Sequence, residues 1–397
     1  MSDSFSVVSS ESWFSRIVES IKGVLFGLLL FVAAFPLLYW NEGRAVRTAK
    51  SLTEGLGAVV PVGSDSIDGS KEGKLVHVSG AVKTSAQLVD DEFAVHADGV
   101  KLLRSVEMYQ WKEHESHETR KKTGGGTETV TTYEYRKEWA SGRVDSSSFK
   151  KPEGHENPAA APYESKTVTA DPVKVGAFTM SPEQVAMLTD SEALPMDASA
   201  VDKLPADLKS KTKVKDGQFY MSKDPSAPEL GDVRVAYRVI KPATVSLVGV
   251  QKASTFTAFQ AKAGDAILLV EAGTHNAQEM FKTAQDRNVI MTWILRGAGF
   301  FIMFLGIFLV FRPVAVLADV LPIFGTMLGA GIGFFAFIGA AVLSILTVAV
   351  AWLVVRPVLG VALIVVAGAA LFWLLKVGRA KRAARKAAGT PAPAVAR

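Results

Sequence analysis

The chain has no cysteine among its 397 residues. That absence excludes disulfide bonds, thiolate nucleophiles and cysteine-ligated metal sites. Acidic residues are scarce in its apolar stretches: residues 21–40 contain none, and Asp319 is the only one between 294 and 377. Pumps and carriers place ionisable groups inside their spans, so this scarcity argues against a transporter. No GxSxG, HExxH or Walker sequence occurs either, and we predict no catalytic residues and no cofactor.

Apolar side chains are abundant, at 49 % of the chain, and they concentrate at residues 21–40 and 294–377. The residues between these stretches have the composition of a soluble domain. The formal charge is +5 and the pI is near 9.1, with much of the basic excess after Leu375. A basic segment next to an apolar run indicates a membrane surface, so we predict a lipid bilayer as partner and no nucleic acid.

Several apolar stretches are long enough to cross a bilayer as helices. The first ends in Tyr39 and Trp40, which are typical of a membrane interface, and no signal-peptide cleavage site follows it. The run from Gly325 to Val355 exceeds one crossing, so its first part, together with residues 314–325 before it, is expected to tilt or to lie at the interface. We predict transmembrane helices at residues 21–40, 294–312, 326–355 and 357–375. Two spans within residues 313–355 are the alternative, although no polar turn marks a break.

The orientation follows from the tail at residues 376–397, which is rich in lysine and arginine and contains no acidic residue. Such a tail is typical of the cytoplasmic side. Four spans then place residues 1–20 in the cytoplasm and the domain at 41–293 on the far side. That side is the periplasm if the membrane is a bacterial inner membrane. It is the lumen if the protein resides in the endoplasmic reticulum or inner nuclear membrane.

Three cations directly after the first span, Arg44, Arg47 and Lys50, oppose this orientation. On a helical wheel they cluster roughly opposite a face that carries Ala45 and Leu52. This pattern predicts an amphipathic helix whose cations bind lipid phosphates from either side of the membrane. A solvated helix packed on the core of the domain is an equally good interpretation.

The large domain is predicted to be rich in β-strands. Residues 105–114 and 129–139 alternate in strand fashion around the glycine-rich tip "KKTGGGT" at 121–127. A short helix is predicted at 181–189 and a longer one at 275–293. The fold class is therefore an integral membrane protein with four transmembrane α-helices, one N-terminal and three C-terminal, and a large α+β, β-rich extracytoplasmic domain inserted between the first and second.

Two further motifs have structural explanations. "EHESHE" at 113–118 extends a strand, so its two histidines point to opposite faces and we predict no metal site. "GAGIG" at 329–333 lies in an apolar run with no preceding strand. Gly329 and Gly333 are therefore interpreted as a small-xxx-small contact between helices and not as a dinucleotide turn.

Several longer motifs occur in an order that resembles the transmembrane protein 43 family, also called LUMA. They are "NEGRAVRTAKSLTEG" (41–55), "EGKLVHVSGAVKTS" (72–85), "VKLLRSVEMYQWKE" (100–113), "GHENP" (154–158), "GDVRVAYRV" (231–239) and "RP" (356–357). The resemblance extends from about residue 20 to 377. The family-motif candidates by position are Asn41, Glu42, Gly43, Arg44, Trp111, Gly154, His155, Asn157 and Pro158.

The resemblance implies one N-terminal span, a large lumenal domain and three C-terminal spans, with both ends cytoplasmic. Animal members are similar proteins of the endoplasmic reticulum and inner nuclear membrane, implicated in organising complexes with emerin and lamins. No catalytic residues are established for the family. The missing cysteines, the "KKTGGGT" tip and the Ala/Arg/Lys-rich tail depart from animal members and favour a bacterial source.

These observations favour a non-enzymatic membrane scaffold that binds envelope, lipid or protein partners through its extracytoplasmic domain. The expected partners are the bilayer and other membrane proteins, including a second copy of the chain. Two alternatives stay open at this point. The small residues of the spans are also compatible with a channel or transporter subunit, and carboxylates or His155 could serve an unrecognised envelope enzyme.

Overall fold

The computed structural model describes residues 3–85, 87–241, 243–358, 361–362 and 365. The helices are α1 (Trp13–Ala58), α2 (Pro182–Ala186), α3 (Ala198–Asp202), α4 (Ala206–Lys209), α5 (Ala277–Ala318) and α6 (Pro322–Val355). The strands before the glycine-rich tip are β1 (Asp3–Glu11), β2 (Val60–Pro61), β3 (Leu75–Thr84), β4 (Leu88–Asp90), β5 (Val95–Ala97) and β6 (Lys101–Lys121). Those after it are β7 (Thr127–Ser141), β8 (Lys166–Thr169), β9 (Val173–Val175), β10 (Phe178–Thr179), β11 (Glu192–Leu194), β12 (Thr212–Lys215), β13 (Gln218–Met221), β14 (Val233–Ile240), β15 (Thr244–Lys252), β16 (Thr255–Thr257), β17 (Phe259–Gln260), β18 (Ala266–Ile267) and β19 (Leu269–Ala272).

The chain forms two compact units. Among the described residues, the β unit consists of those up to Ser12 and from Ala49 to Arg287, and the helical unit consists of Trp13–Thr48 and those from Asn288 on. The helical unit contains most of the apolar stretches seen in the sequence. The β unit contains the motifs of the predicted large domain from residue 49 to 287.

Two main sheets build the β unit. The first has the strand order β1-β7-β6-β14-β13-β12, with β11 paired to β14 and β8 paired to β6. The second has the order β10-β9-β3-β15-β16, with β19 and β2 at its sides. Buried aromatic rings such as Phe93, Phe219 and Tyr237 fill the core on the first sheet. Burying each large apolar side chain contributes roughly 1.5–3 kcal/mol, which explains why these strands alternate in hydrophobicity.

The longest strand, β6, has two different halves. Its first ten residues alternate between buried and less buried positions, as expected of a strand on a core. The side chains from His114 to Lys121 are all exposed, so this half leaves the core, and β7 is its pairing partner among the described strands. We call residues 109–121 and 127–139 the ribbon. The predicted hairpin is confirmed, and its aromatic pair Tyr109 and Trp139 lies with ring centroids 5.4 Å apart.

The N-terminal residues form a strand that the sequence analysis does not predict. Within residues 1–20, predicted to be the cytoplasmic N-terminus, Asp3–Glu11 form β1 and pair antiparallel with β7 along nine residues. Phe5 stacks on Tyr133 with centroids 5.3 Å apart. The segment is short and rich in serine, and its pairing partner lies more than a hundred positions away, so no local pattern indicates this strand.

The segment after the first span also resolves one of the alternatives. From Ala49 on, α1 belongs to the β unit, where Leu52 is buried in a cluster with Met280 and Phe281. A side chain at Gly55 would collide with Phe281, which shows how closely the helix approaches that core. This part of α1 is therefore packed on the core of the domain, as the second interpretation states.

Three helices of the structure are long and apolar enough to cross a membrane: Trp13–Ala58, Ala277–Ala318 and Ile323–Val355. The first two extend well beyond the predicted spans, because α1 and α5 continue into the β unit. A turn at residues 319–321 separates α5 from α6, and α6 is one uninterrupted helix, so residues 313–355 do not contain two spans. The fourth predicted span, 357–375, and the basic tail at 376–397 lie almost entirely outside the described residues.

Within the helical unit, α1 and α5 pack through glycines that the sequence analysis did not select. A Cβ on Gly306 would lie 2.6 Å from the backbone nitrogen of Phe31, and one on Gly27 would lie 2.7 Å from Leu309. A Cβ on Gly333, by contrast, would meet no described atom within 4 Å, and one on Gly329 would only touch Ala315. Among the described residues, Gly329 and Gly333 make no close helix contact, and their predicted small-xxx-small contact remains a prediction.

Candidate functional site

The first motif, Asn41 to Arg44, forms a polar cluster among the helices of the helical unit. Glu42 is buried, and both its oxygens accept hydrogen bonds from Arg296, at 2.7 and 2.8 Å. The indole of Trp352 donates a third bond to Glu42, at 2.7 Å. One carboxylate thus connects α1, α5 and α6. We call Asn41, Glu42, Arg44, Asn288, Thr292, Arg296 and Trp352 the helix cluster.

Arg44 has protein partners in this cluster. Its guanidinium donates to Asn288 at 2.9 Å and to Thr292 at 2.9 Å, and it also donates to Asn41 at 3.2 Å. Asn288 in turn donates to the carbonyl oxygen of Ala45. Arg44 therefore connects α1 to α5. A lipid phosphate, its predicted ligand, would have to compete with three protein oxygens for the guanidinium.

The other residues predicted beside this motif differ in environment. Gly43 has open space around its Cα, since a Cβ there would meet nothing within 4 Å. Arg47 and Lys50 are exposed. Binding of lipid phosphate by Arg47 and Lys50 remains a prediction that their exposure permits.

A second ion pair lies near the other end of the same helices. Arg16 on α1 donates to Asp319 at 2.6 Å, and Trp13 donates to the carbonyl of Val316 at 2.9 Å. Arg16 and Glu42 are separated by about 39 Å along α1 at ~1.5 Å per residue. That distance is close to the thickness of a bilayer with its headgroups, ~40 Å. The two ion pairs therefore bracket the apolar part of the helical unit.

The second group of motif residues meets in the β unit. His155 is buried, its ring stacks on Tyr135 with centroids 3.9 Å apart, and Trp111 contacts it edge-on at 4.8 Å. The Nδ1 atom of His155 lies 2.9 Å from the carbonyl oxygen of Lys151. Its Nε2 atom lies 3.3 Å from a carboxylate oxygen of Asp3, on β1. We call Asp3, Trp111, Glu113, Tyr135, Lys151 and His155 the histidine cluster.

Tyr135 links this cluster to the loop after the ribbon. Its hydroxyl donates to Glu113 at 2.5 Å and accepts from the backbone N–H of Lys151 at 3.0 Å. Burial and the bond to Glu113 raise the pKa of Tyr135 to about 12. The phenol is therefore a neutral hydrogen-bonding group at physiological pH and does not serve as a base.

The remaining motif residues position the loop that carries His155. The side chain of Asn157 accepts from the N–H of Trp111 at 2.7 Å and donates to the carbonyl of Trp111 at 3.0 Å. Gly154 has a φ of +83°, a conformation that favours glycine. The carbonyl of Pro158 accepts from Arg143. The "GHENP" motif and Trp111 are far apart along the chain, and the hydrogen bonds of Asn157 thus hold them together.

A groove of about 820 Å³ lies elsewhere on the β unit, beside Lys101, Met180 and Val185. The amine of Lys101 donates to the carbonyls of Ala186 and Leu188, at 3.1 and 2.9 Å. Burial lowers the pKa of Lys101, but the two carbonyls occupy its amine. None of the motif candidates lines this groove.

Sequence reasoning missed the partners that complete both clusters. It did not select Arg296, Asn288, Thr292 or Trp352. The usable signal was Glu42 itself, because a carboxylate at the end of an apolar run requires a cation nearby. Among the described residues, no group of three or more His, Cys, Asp or Glu side chains is placed to hold a metal ion.

Comparisons with known proteins support the family resemblance. The family model described as Transmembrane protein 43 matches residues 108–357. The chain is similar to Transmembrane protein 43 of Homo sapiens, with 36% identity over 391 residues that cover 95% of this chain and 94% of that protein. It is 37% identical to Transmembrane protein 43 of Mus musculus over 354 residues, 86% of each chain. It is 30% identical to the Transmembrane protein 43 homolog of Drosophila melanogaster over 369 residues, 89% of this chain and 94% of that one. No solved structure matches the chain.

Proposed function

Because this chain belongs to the Transmembrane protein 43 family, we propose that it is a non-enzymatic, multi-pass membrane scaffold whose β unit binds envelope, lipid or protein partners. The family membership and the membrane helices support the general class. The scaffold role and the placement of the β unit outside the cytoplasm are our own inference.

The ribbon is the observation that carries this proposal. It extends from the core of the first sheet, and the side chains of β6 from His114 on are exposed. A strand that buries little of its own surface contributes little to the stability of the core. The two strands of the ribbon are nevertheless joined by cross-strand hydrogen bonds, such as the one between the hydroxyl oxygens of Thr119 and Thr129, which are 3.0 Å apart. An extended polar surface of this kind is suited to binding a partner.

The helix cluster supplies the second requirement of a scaffold, a rigid membrane base. Glu42, Arg296 and Trp352 join three helices through one buried carboxylate. Breaking a buried ion pair costs about 3–5 kcal/mol, so these helices are not free to separate during function. This rigidity favours an anchoring role over one that requires the helices to move apart.

Photo-crosslinking in native membranes tests the proposal. A photoreactive amino acid replaces His117 on the ribbon in one variant and Lys203, an exposed residue near α3, in the other. We expect discrete higher-mass products from the ribbon position that the control position does not give, identified by mass spectrometry after purification in mild detergent. Monomer alone from both positions would contradict a scaffold that binds through the ribbon.

A further inference from the structure

One edge of β6 carries no partner strand beyond Trp111 in the described chain. β14 pairs with β6 only as far as Met108, and β8 pairs with the first four residues of β6. The side chain of Asn157 then occupies both main-chain groups of Trp111. From Glu113 on, β7 is the pairing partner of β6 among the described strands. The edge of β6 that faces away from β7 is therefore open along the outer part of the ribbon.

The main-chain groups that face this open edge belong to odd-numbered residues. The N–H of Tyr109 donates to the carbonyl of Asp232, and the N–H of Trp111 donates to Asn157, both on the side away from β7. Main-chain groups of successive residues alternate between the two edges of a strand. The N–H and carbonyl groups of residues 113, 115, 117 and 119 therefore point to the open edge. Such a row of groups is a template for another strand.

The sequence along this edge is complementary to itself in the antiparallel direction. Residues 114–118 read His-Glu-Ser-His-Glu. A twofold axis at Ser116 places His114 of each copy opposite Glu118 of the other. It also places Glu115 opposite His117. Opposite residues of antiparallel strands extend to the same face of the sheet, where a histidine donates a hydrogen bond to a carboxylate in either protonation state.

The main chain fits the same register. With Ser116 opposite itself, residue 115 faces residue 117 and residue 113 faces residue 119, and these are the residues whose main-chain groups point to the open edge. At the ends of the pairing Lys112 lies opposite Arg120. Each of these cations already has a carboxylate partner in its own chain, Glu138 for Lys112 and Glu118 for Arg120.

The neighbouring twofold registers match less well. An axis at His117 places His114 opposite Arg120, and an axis at Glu118 places two carboxylates opposite each other. Like charges directly opposite each other destabilise a strand pair. Of these three registers, the one centred on Ser116 is the one that pairs each histidine with a glutamate.

Within one chain, the two histidines of this stretch have exposed partners. The Nε2 atom of His114 lies 3.3 Å from a carboxylate oxygen of Glu138, and that of His117 lies 3.6 Å from one of Glu115. Exposed pairs of this kind contribute little to stability. Exchanging them for pairs with a second copy therefore costs little.

We propose that residues 113–119 of β6 bind the same residues of a second copy of the chain as an antiparallel strand, with the twofold axis at Ser116. The pairing joins two ribbons into one continuous sheet, and every contact occurs twice, as in an isologous dimer. Main-chain hydrogen bonds supply affinity, and the histidine–glutamate pairs supply specificity. The inference rests on the proposed function, because it identifies a second copy as one partner of the ribbon.

The absence of native cysteine allows a disulfide test in the full-length chain reconstituted in lipid vesicles. Ser116→Cys places a thiol opposite its own copy, in a pair without mutual main-chain hydrogen bonds. The Cα atoms of such a pair are ~4.5 Å apart, within the range of a disulfide. Thr119→Cys is the matched control, because it is exposed on the same strand but its two copies lie ~20 Å apart at ~3.4 Å per residue. We expect disulfide-linked dimers on a non-reducing gel from Ser116→Cys and not from Thr119→Cys.

A positive control shows that cysteines in the ribbon oxidise under the same conditions. Thr119→Cys with Thr129→Cys places two thiols opposite each other within one chain, where the native hydroxyl oxygens are 3.0 Å apart. We expect this pair to form a disulfide inside the monomer.

The pairing of histidine with glutamate is tested in the Ser116→Cys variant. Adding His117→Glu brings a carboxylate opposite Glu115 of the other copy, twice in each dimer. We expect the initial rate of disulfide formation to fall about 2- to 30-fold, because two favourable cross-strand pairs are lost. Adding Glu115→His as well again places a histidine opposite a carboxylate, and the rate should recover. A loss of folding does not predict this recovery.

Equal dimer yields from Ser116→Cys and Thr119→Cys would overturn this interface. So would the absence of dimer from Ser116→Cys while the pair at 119 and 129 oxidises. Either result would leave the scaffold proposal intact if photo-crosslinking at position 117 still yields other proteins. An unchanged rate with His117→Glu, or no recovery on adding Glu115→His, would overturn the register centred on Ser116.

Discussion

The helix cluster makes a quantitative prediction about one carboxylate. Glu42→Gln keeps the shape of the side chain and an acceptor for Trp352, but it removes the charge that Arg296 needs. The side chain of Glu42 is only 3% exposed and that of Arg296 is 20% exposed. Leaving a buried charge without its partner costs about 3–5 kcal/mol. We therefore expect Glu42→Gln to destabilise the helical unit by roughly 3 kcal/mol or more.

A matched control lies on the same helix. Glu19 pairs with Lys22 at 2.6 Å, yet both side chains are more than half exposed, at 58% and 68%. Exposed pairs contribute ~0–1 kcal/mol, so Glu19→Gln should have little effect. The assay is thermal unfolding of the purified chain in detergent, followed by tryptophan fluorescence. At ~2–4 °C per kcal/mol we expect a fall in Tm of roughly 6–12 °C for Glu42→Gln and a fall smaller than ~4 °C for Glu19→Gln.

The double variant Glu42→Gln with Arg296→Gln separates the loss of the pair from the cost of an unpaired charge. We expect it to be more stable than Glu42→Gln alone, because neither charge then remains buried by itself. If Glu42→Gln and Glu19→Gln lower Tm equally, the carboxylate does not hold the three helices together and the reasoning on the rigid base is refuted.

Three further predictions concern packing, pH and the loop of His155. Gly306→Ala should destabilise the chain by roughly 1–3 kcal/mol in the same thermal assay, because the new methyl group collides with the backbone of α1. Gly297→Ala should be neutral, because its Cβ meets no described atom within 4 Å. Equal effects of the two variants on Tm would contradict the close approach of α5 to α1 at Gly306. Burial lowers the pKa of His77 below its ordinary 6.5, although the hydrogen bond to the carbonyl of His275 acts in the opposite direction. The His77 side chain therefore binds a proton more readily in the unfolded chain than in the folded one. Stability from His77 is then present above about pH 6.5 and lost as the pH falls below it, and His77→Gln should flatten this dependence of Tm on pH; an unchanged slope would refute the assignment. Asn157→Ala should lower the free energy of unfolding by about 1–3 kcal/mol, because it leaves the N–H and the carbonyl of Trp111 without their partner. Glu153→Ala, at an exposed position of the same loop, should not lower Tm measurably. If both variants have the same Tm, Asn157 does not anchor the loop.

Much of the architecture could be predicted because its signals are local. Period-two alternation identified the hairpin around the glycine-rich tip, and long apolar runs identified the three long apolar helices among the described residues. The capping of α5 is similarly local, since Asn276 and Glu279 exchange bonds at 2.9 and 3.0 Å. The predicted helix ends were less accurate, because α1 and α5 continue as helices beyond the ends of their apolar runs.

The residues of the helix cluster and the histidine cluster were only half predictable. Motif resemblance selected Glu42 and His155, but it could not show that Glu42 meets Arg296 and Trp352, which lie some 250 and 310 positions later. Strand β1 was missed because its Ser-rich sequence has a pattern that is meaningful only beside Tyr133 and Tyr135. Contacts between distant parts of the chain depend on tertiary packing, which periodicity does not encode.

The two ion pairs at the ends of the helical unit have a consequence for how the protein sits in a membrane. Sliding the helices along the bilayer normal by one turn, ~5.4 Å, would carry either Arg16 and Asp319 or Glu42 and Arg296 toward the hydrocarbon. In a bilayer, the two ion pairs therefore favour one immersion depth. When the surrounding bilayer is thinner or thicker than the distance between the two ion pairs, the lipids nearest the helices must stretch or compress to match that distance.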